Sequence, residues 1–386
     1  MNHHVVLNRP LLTPPFLVLG AFGVTAIVLL LVRFFFGMGA VTNLNGGYPW
    51  GIWVVYDIVV GTAFACGGYA LAVTVYVFNK GRYHPLVRTA LLTSLLGYAL
   101  GAAGAFIDMG RYWNFYNMFL PWQVNPHAVM LEVGLCVFLY VMVLAIEFLP
   151  TVLEKFKAEA LQHKLSRVLF FFISLGILLP TMHQSSLGSF LIAMGWKVHP
   201  LWQTMELQPL LAILSAFIMG FAAVIFEASV GSVGFKRQPE TPMLVGLGKI
   251  IVGLTATFLV VRFVTLLMTG KLGLVFAFAL GSLMFLLETA MFIYPVVILS
   301  SPTRRANGKK LLYAALCTML AGALYRFDAF IITFNPGAGY SYFPALPEIL
   351  ITIGMVAIEV MAYLFIVTQF PVLAREEHCA PDIPFG

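Results

Sequence analysis

The chain has 386 residues, 61% of them hydrophobic and only 10% charged, with a net charge of +6. A soluble globular chain averages about 45–50% apolar and about 25% charged residues. An aqueous fold cannot bury this much apolar side chain, so the chain reads as a polytopic membrane protein, and its basic residues report topology rather than a nucleic-acid partner.

From the N-terminus, MNHHVVLNRPLLTPP leads into FLVLGAFGVTAIVLLLVRFFFG, which is long enough to span and has no small-residue cleavage site, so it is expected as a first span. Ten apolar segments of spanning length begin near Phe16, Trp50, Pro85, Pro126, Arg167, Leu207, Met243, Leu272, Lys310 and Leu346. The seventh and eighth are divided by little more than TGKLG, which predicts a tight helical hairpin. Joining the N-terminus, the even-numbered connections and the C-terminus collects Arg9, Lys80, Arg82, Arg88, Lys155, Arg237, Arg304, Lys310 and Arg375 on one side. By the positive-inside rule that side is cytoplasmic, and both termini with it. The fold class is therefore all-α, one integral membrane domain over residues 1–386.

The third span carries Gly97, Gly101 and Gly104, a close-packing pattern. In the fifth, PTMHQSSLGS interrupts an apolar run. Pro180 is expected to kink the helix, with Gln184, Ser185 and Ser186 bonding to the turn before it. His183 is the residue this explanation does not cover, since a buried imidazole can bond a carbonyl ligand and carry a proton.

Ionisable residues gather in the outer third of the membrane: Asp57, Asp108, Arg111, Glu132, His183, Glu206, Arg262, Arg326 and Asp328. Helix rise places His183 about 24 Å from the cytoplasmic start of its span. Charges are costly in hydrocarbon, so such residues face the protein interior and commonly work there. Glu288 and Glu359 lie near mid-membrane, and Glu147 and Glu227 near cytoplasmic helix ends; with Asp57, Glu132 and His183 they can form a proton relay, or each can be a paired structural carboxylate. The outer connections GMGAVTNLNGGYPWG, DMGRYWNFYNMFLPWQVNPH, GWKVHPLWQTMELQP and NPGAGYSYFPALPE are aromatic, as an interfacial belt or a docking roof would be. Of the four cysteines, Cys66, Cys136, Cys317 and Cys379, none forms a CxxC, so no iron–sulfur ligand set is read. The histidines His3, His4, His84, His127, His163, His199 and His378 do not match His183 in depth, so a haem with two axial histidines is not expected. A proton or solute transporter stays open as an alternative, as does a true haem-b cytochrome.

LNGGYPWGIWVVYD, ACGGYALAVTVYVFNKGRYHPLVR, IDMGRYWN, LPTMHQSSLGS, KVHPLWQT, IMGFAAVIFEAS and FNPGAGYSYFP resemble the NrfD/PsrC family of quinone-interacting membrane subunits. Within it they resemble the hydrogenase-2-type nickel–iron hydrogenase branch, over about Gly37 to Pro371, with a family-like core at about 40–371. The resemblance implies two four-helix bundles plus two extra helices in a bacterial cytoplasmic (inner) membrane. It implies periplasmic partners: a nickel–iron large subunit, an iron–sulfur small subunit and a ferredoxin-like iron–sulfur subunit that delivers electrons. It implies menaquinone or ubiquinone as substrate near the outer face, in a hydrogen:quinone oxidoreductase whose membrane chain carries no haem, iron–sulfur cluster or metal and is not catalytic alone. The matching blocks suggest His183 and Tyr112 as donors to the quinone, Asp108 and Glu132 as proton carriers, and Asp57 and Arg111 as further quinone contacts. Glu147, Glu227, Glu288 and Glu359 would be relay residues.

Overall fold

The computed structural model describes residues 4–7, 9–237 and 241–374; Arg375, Cys379, His3 and His378 lie outside them. It contains ten helices long and apolar enough to cross a membrane: α1 Pro14–Phe36, α2 Val54–Val77, α3 Gly81–Asp108, α4 Val129–Lys155, α5 Glu159–Ala193, α6 Met205–Gly234, α7 Thr241–Met268, α8 Leu280–Ser300, α9 Gly308–Ile332 and α10 Leu346–Gln369. Helices are what a hydrocarbon environment demands, because each backbone group is satisfied within its own segment.

Two up-and-down bundles, α2–α5 and α6–α9, meet where α6 packs on both α5 and α2. The remaining helices, α1 and α10, pair with each other and lean on α3. Small residues permit this pairing: a side chain at Gly354 would strike the Phe22 carbonyl, and one at Gly23 would meet Ile358 at 3.1 Å. The even number of spans returns both ends to the cytoplasmic face. There the two strands, β1 His4–Val5 and β2 Leu373–Ala374, pair antiparallel. Arg88 donates to the Pro371 carbonyl at 2.9 Å and Arg237 to that of Ala374, so basic side chains that orient the chain also pin its end.

Among the described residues, three segments wind as π-helix: Val54–Gly61 and Val73–Val77 in α2, and Asp328–Ile332 at the end of α9. Wide turns of this kind often mark functional positions. The first holds Asp57 and the third begins at Asp328.

Three local expectations change. The α7–α8 connection is longer than a tight hairpin, because Leu272–Phe276 forms a 3₁₀ turn and α8 begins at Leu280 rather than near Leu272. Ser282 Oγ donates to the Leu274 carbonyl at 2.8 Å, folding that turn back onto the helix start, with Val275 buried beneath. The fifth span begins at Glu159, eight residues before the expected Arg167. It runs as helix through Pro180, and the bond to the turn before the proline comes from Thr181, whose Oγ1 donates to the Ile177 carbonyl at 2.7 Å. Ser185 and Ser186 both bond the Met182 carbonyl instead, and Gln184 turns inward.

The outer roof is built on Glu348 at the start of α10. Its carboxylate accepts from Asn43 N at 3.0 Å, Ala345 N at 2.7 Å and the Tyr342 hydroxyl at 2.7 Å, and its carbonyl accepts from Trp53 Nε1 at 3.2 Å. Burial and the adjoining carboxylate push the Tyr342 phenol above its ordinary range, so it stays a donor. Three of the loop tryptophans are thus not belt residues. Trp50, Trp53 and Trp202 are buried with their indole N–H groups bonded, whereas Trp113, Trp122 and Trp196 face outward. Replacing Glu348 by alanine removes a charged acceptor from three donors and is expected to lower stability by about 3 kcal/mol. A thermal melt in detergent, with proteolysis sites appearing in the 37–53 and 335–345 loops, checks this.

Candidate functional site

The centre of the outer cluster is Asp57. The π turn of α2 points its side chain at α3, where glycines leave the space. A Cβ at Gly104 would lie 2.5 Å from Asp57 Oδ2, and one at Gly101 would lie 3.1 Å from the Asp57 carbonyl. One turn deeper, a Cβ at Gly97 would lie 3.4 Å from Glu359 Oε1. The glycine stripe does more than bring two helices together: Gly101 and Gly104 make room for Asp57, while Gly97 makes room for Ala65, whose Cβ would lie 2.7 Å from an added Cβ. Asp57 is 1% exposed, and its Oδ1 has no protein partner.

Asp108 ends α3, half-buried, with Oδ1 buried and unpartnered. Beside it stands Arg33, in the last turn of α1. Arg33 is 1% exposed; its Nε donates to the Ile107 carbonyl at 2.7 Å and an Nη to that of Met109, which caps the terminus of α3. Its guanidinium lies 4.7 Å from the Phe34 ring and 5.1 Å from the Tyr112 ring, within charge reach of Asp108. Tyr112, half-buried, covers this pair and directs its hydroxyl toward the Phe34 carbonyl at 3.5 Å.

His183 is 0% exposed, one helix further in. Its Nε2 lies 3.0 Å from Thr62 Oγ1, its Nδ1 has no partner, and Tyr98 stands edge-on at 5.8 Å. Gln184 bridges Thr62 at 3.2 Å to Arg326 of α9 at 3.1 Å, so this polar chain joins the two bundles. Thr62, Gln184 and Arg326 act together here because α2, α5 and α9 meet at one point.

Two predicted contacts do not join. Arg111 and Glu132 are both exposed, on the α3–α4 loop and at the outer start of α4. The loop's 3₁₀ turn Tyr112–Phe119 turns Arg111 outward while Tyr112 packs in, and Glu132 stands on the outer face of α4, opposite its buried neighbour Val133. Arg33 supplies the buried positive charge expected from Arg111. Glu206 is exposed too.

The four relay candidates separate. Glu288 is committed to a fully buried ion pair: Arg262 reaches both its oxygens, Trp202 Nε1 donates at 2.9 Å, and the guanidinium lies 4.3 Å from the Phe285 ring. That cluster sits in the second bundle, with Asp328 beside it, 0% exposed and with neither carboxylate oxygen partnered. Glu147 is alone between α4 and α5, facing Gly176. Glu227 of α6 bonds the Tyr363 hydroxyl, and Tyr363 is one turn from Glu359 on α10. Glu227 also lines a cavity of about 40 Å³ with Thr89, Ser232, Arg237 and Tyr363, at the cytoplasmic end and not among the outer groups. It has room for about three waters. From that cavity, Glu227, Glu359, Asp57 and Asp108 succeed one another toward the outer face.

A haem with two axial histidines needs a pair facing each other at membrane depth. Among the described residues His183 is the one histidine fully buried within a span. His84, His127 and His163 are exposed, and His199 is a loop residue whose Nδ1 accepts from Leu201 N at 3.3 Å. These side chains do not fit that group. No cluster of three or more histidine, cysteine, aspartate or glutamate side chains suited to a metal occurs among the described residues.

The model of the polysulphide reductase NrfD family matches residues 40–334. The chain belongs to the NrfD family. It is 44% identical over 369 residues, 95% of this chain and 94% of the relative, to the "Probable Ni/Fe-hydrogenase 2 b-type cytochrome subunit" of Escherichia coli K12. A protein of Nitratidesulfovibrio vulgaris is 30% identical over 96% of this chain and 97% of its own length. The "Menaquinone reductase, integral membrane subunit" of that organism is 29% identical over 161 residues, 39% of this chain and 37% of the relative. This NrfD-family chain is thus a multi-pass protein of the bacterial inner membrane and resembles the membrane subunits of hydrogenase and reductase complexes.

The Arg262–Glu288 pair gives a direct test. Arg262→Leu strands a buried carboxylate and is expected to cost about 3–5 kcal/mol, whereas Arg262→Leu with Glu288→Leu recovers most of it. Denaturation of the purified variants in one detergent checks both values.

Proposed function

We propose that this chain is the quinone-reactive membrane subunit of a respiratory nickel–iron hydrogenase. It receives electrons from a periplasmic iron–sulfur partner and passes them to menaquinone near the periplasmic face. The observation that carries the reading is the meeting of Asp57, Asp108, Arg33 and Tyr112, from α1, α2 and the end of α3, with buried carboxylate oxygens that no protein group satisfies. Reducing a quinone takes two electrons and two protons. Carboxyl groups supply protons, and Arg33, held by carbonyls and rings rather than by an ion pair, stabilises negative charge developing on the quinone oxygen. The names of the Escherichia coli and menaquinone-reductase relatives support the same reading.

Partner docking falls to the α3–α4 loop, where Trp113, Phe115, Tyr116, Phe119 and Trp122 are exposed above Tyr112 and Asp108. Electrons arriving there have the shortest route to the site. Menaquinone enters beside Tyr112 and Asp108, the half-buried members of the group, since Asp57 behind them is enclosed. Protons reach Asp57 from the cytoplasmic cavity through Glu227 and Glu359; Glu147 and Glu288 take no part in that line. The placement of the histidines speaks against the two-histidine haem alternative, and a solute transporter would place its polar site at mid-membrane rather than under one face.

In the assembled hydrogenase, Asp57→Asn and Asp108→Asn are each expected to lower hydrogen-dependent menaquinone reduction about a hundredfold. Reduction of benzyl viologen by the same preparations stays at the wild-type rate. Unaltered quinone reduction in both variants would refute the site. Glu359→Gln should slow quinone reduction while leaving the affinity for menaquinone analogues unchanged, as measured by inhibitor titration.

A further inference from the structure

Helix α5 is longer than the membrane needs. It has 35 residues, about 52 Å of helix, whereas a hydrocarbon core about 30 Å thick takes about 20 residues. Its outer end is fixed near Ala193, where the exposed Trp196 follows. Counted inward from there, the hydrocarbon ends near Ile173, and residues 159–172 carry on into the cytoplasmic headgroups and beyond.

Phe170 and Phe171, 79% and 61% exposed, mark the lipid-facing side of the helix at that edge. His163, Lys164 and Arg167 are exposed on the same side. Arg167 stands three and four residues before the two phenylalanines, and Lys164 and His163 stand three and four before Arg167. The basic group therefore stands over lipid and not over protein. Arg167 and Lys164 lie about 9 and about 14 Å past the hydrocarbon edge, and their long side chains reach back to the level of the phosphates.

These side chains present donors. Lysine and arginine only donate. Arg167 Nη2 donates to His163 Nε2 at 3.3 Å, so in the neutral ring the hydrogen sits on Nδ1, a further donor. Several other cytoplasmic cations are spent on the protein: Arg88 on Glu154 and the Pro371 carbonyl, and Lys155 on the Gln369 carbonyl. Among the described residues Lys164 and Arg167 have no carboxylate partner. Glu159, the acid on this stretch, lies a turn further from the membrane than His163.

We infer that the α5 face bearing His163, Lys164 and Arg167 binds the phosphate of an anionic phospholipid of the cytoplasmic leaflet, whose acyl chains lie against Phe170 and Phe171. The phosphodiester only accepts hydrogen bonds, which matches a donor-only face. A zwitterionic headgroup brings a cation of its own that Lys164 and Arg167 repel, so the face selects lipids with net negative charge. This surface is independent of the quinone reading and lies at the other side of the membrane.

The test uses the full chain in nanodiscs of phosphatidylglycerol and phosphatidylcholine with matched acyl chains, with Phe170 replaced by p-benzoylphenylalanine. On illumination, the lipid crosslinked there is expected to be phosphatidylglycerol about fivefold above its share in the bilayer, the effect of one cation at an anionic headgroup. Raised salt lowers the enrichment. Lys164→Arg with Arg167→Lys keeps it. Lys164→Gln with Arg167→Gln returns it to the bulk share, with thermal stability unchanged because both side chains are exposed. The same probe at Leu283, an exposed position in the outer half of α8, reports the bulk share throughout. Phosphatidylglycerol at its bulk share beside Phe170 in the otherwise unaltered chain overturns the inference and leaves these cations to a soluble acidic partner. Enrichment that survives the double glutamine substitution, or that Leu283 shows equally, overturns it as well, since the lipid is then not chosen by these side chains.

Discussion

A carboxyl group inside a bilayer persists only when protein surrounds it, because lipid offers no hydrogen bonds. In this chain that enclosure is provided by glycine. Gly97, Gly101 and Gly104 let α2 press against α3 so closely that Ala65 and Asp57 fill the space a side chain would take. The π turn of α2 aims Asp57 into the gap. Arg33, the α3 terminus it caps, and the Tyr112 cover then follow from where α3 must end.

Buried charge is held in two ways. In the second bundle, Arg262 and Glu288 neutralise each other, and aromatic rings and Trp202 complete the shell. Such a pair fixes structure and leaves little to exchange. In the first, Asp57 and Asp108 lack ion-pair partners and keep oxygens free. Arg326 stands between, a cation of the second bundle whose hydrogen bonds end on a histidine of the first. Asp328, fully enclosed and without a partner, is the second bundle's counterpart of Asp57.

Much of this was legible in the sequence, and for definite reasons. Apolar runs of spanning length set the ten helices, and loop Lys and Arg set their direction. The depth of Asp57, Asp108 and His183 follows from counting rise along helices. What counting cannot give is rotation about the helix axis. Glu132 lies at a suitable depth on the wrong face, and Arg111 is one residue away from an inward-facing Tyr112. Glu288 looked like Glu359 because the partner that separates them, Arg262, sits 26 residues away on another helix. Arg33 was hidden for the same reason: its acceptors on α3 are 74 and 76 residues distant. Pro180 showed the limit of local rules, since the bond to the turn before it comes from Thr181 rather than from the expected Gln184, Ser185 and Ser186.

The pairing of β1 with β2 joins the first described residues of the chain to the last, across everything inserted between them. During synthesis the N-terminal strand waits unpaired while all ten helices enter the membrane, and only the emergence of α10 delivers its mate. The clasp on the cytoplasmic side, tightened by Arg88 and Arg237, can close on a finished molecule alone. It therefore forms last, on the face opposite to the one where the quinone reading seats the redox partners.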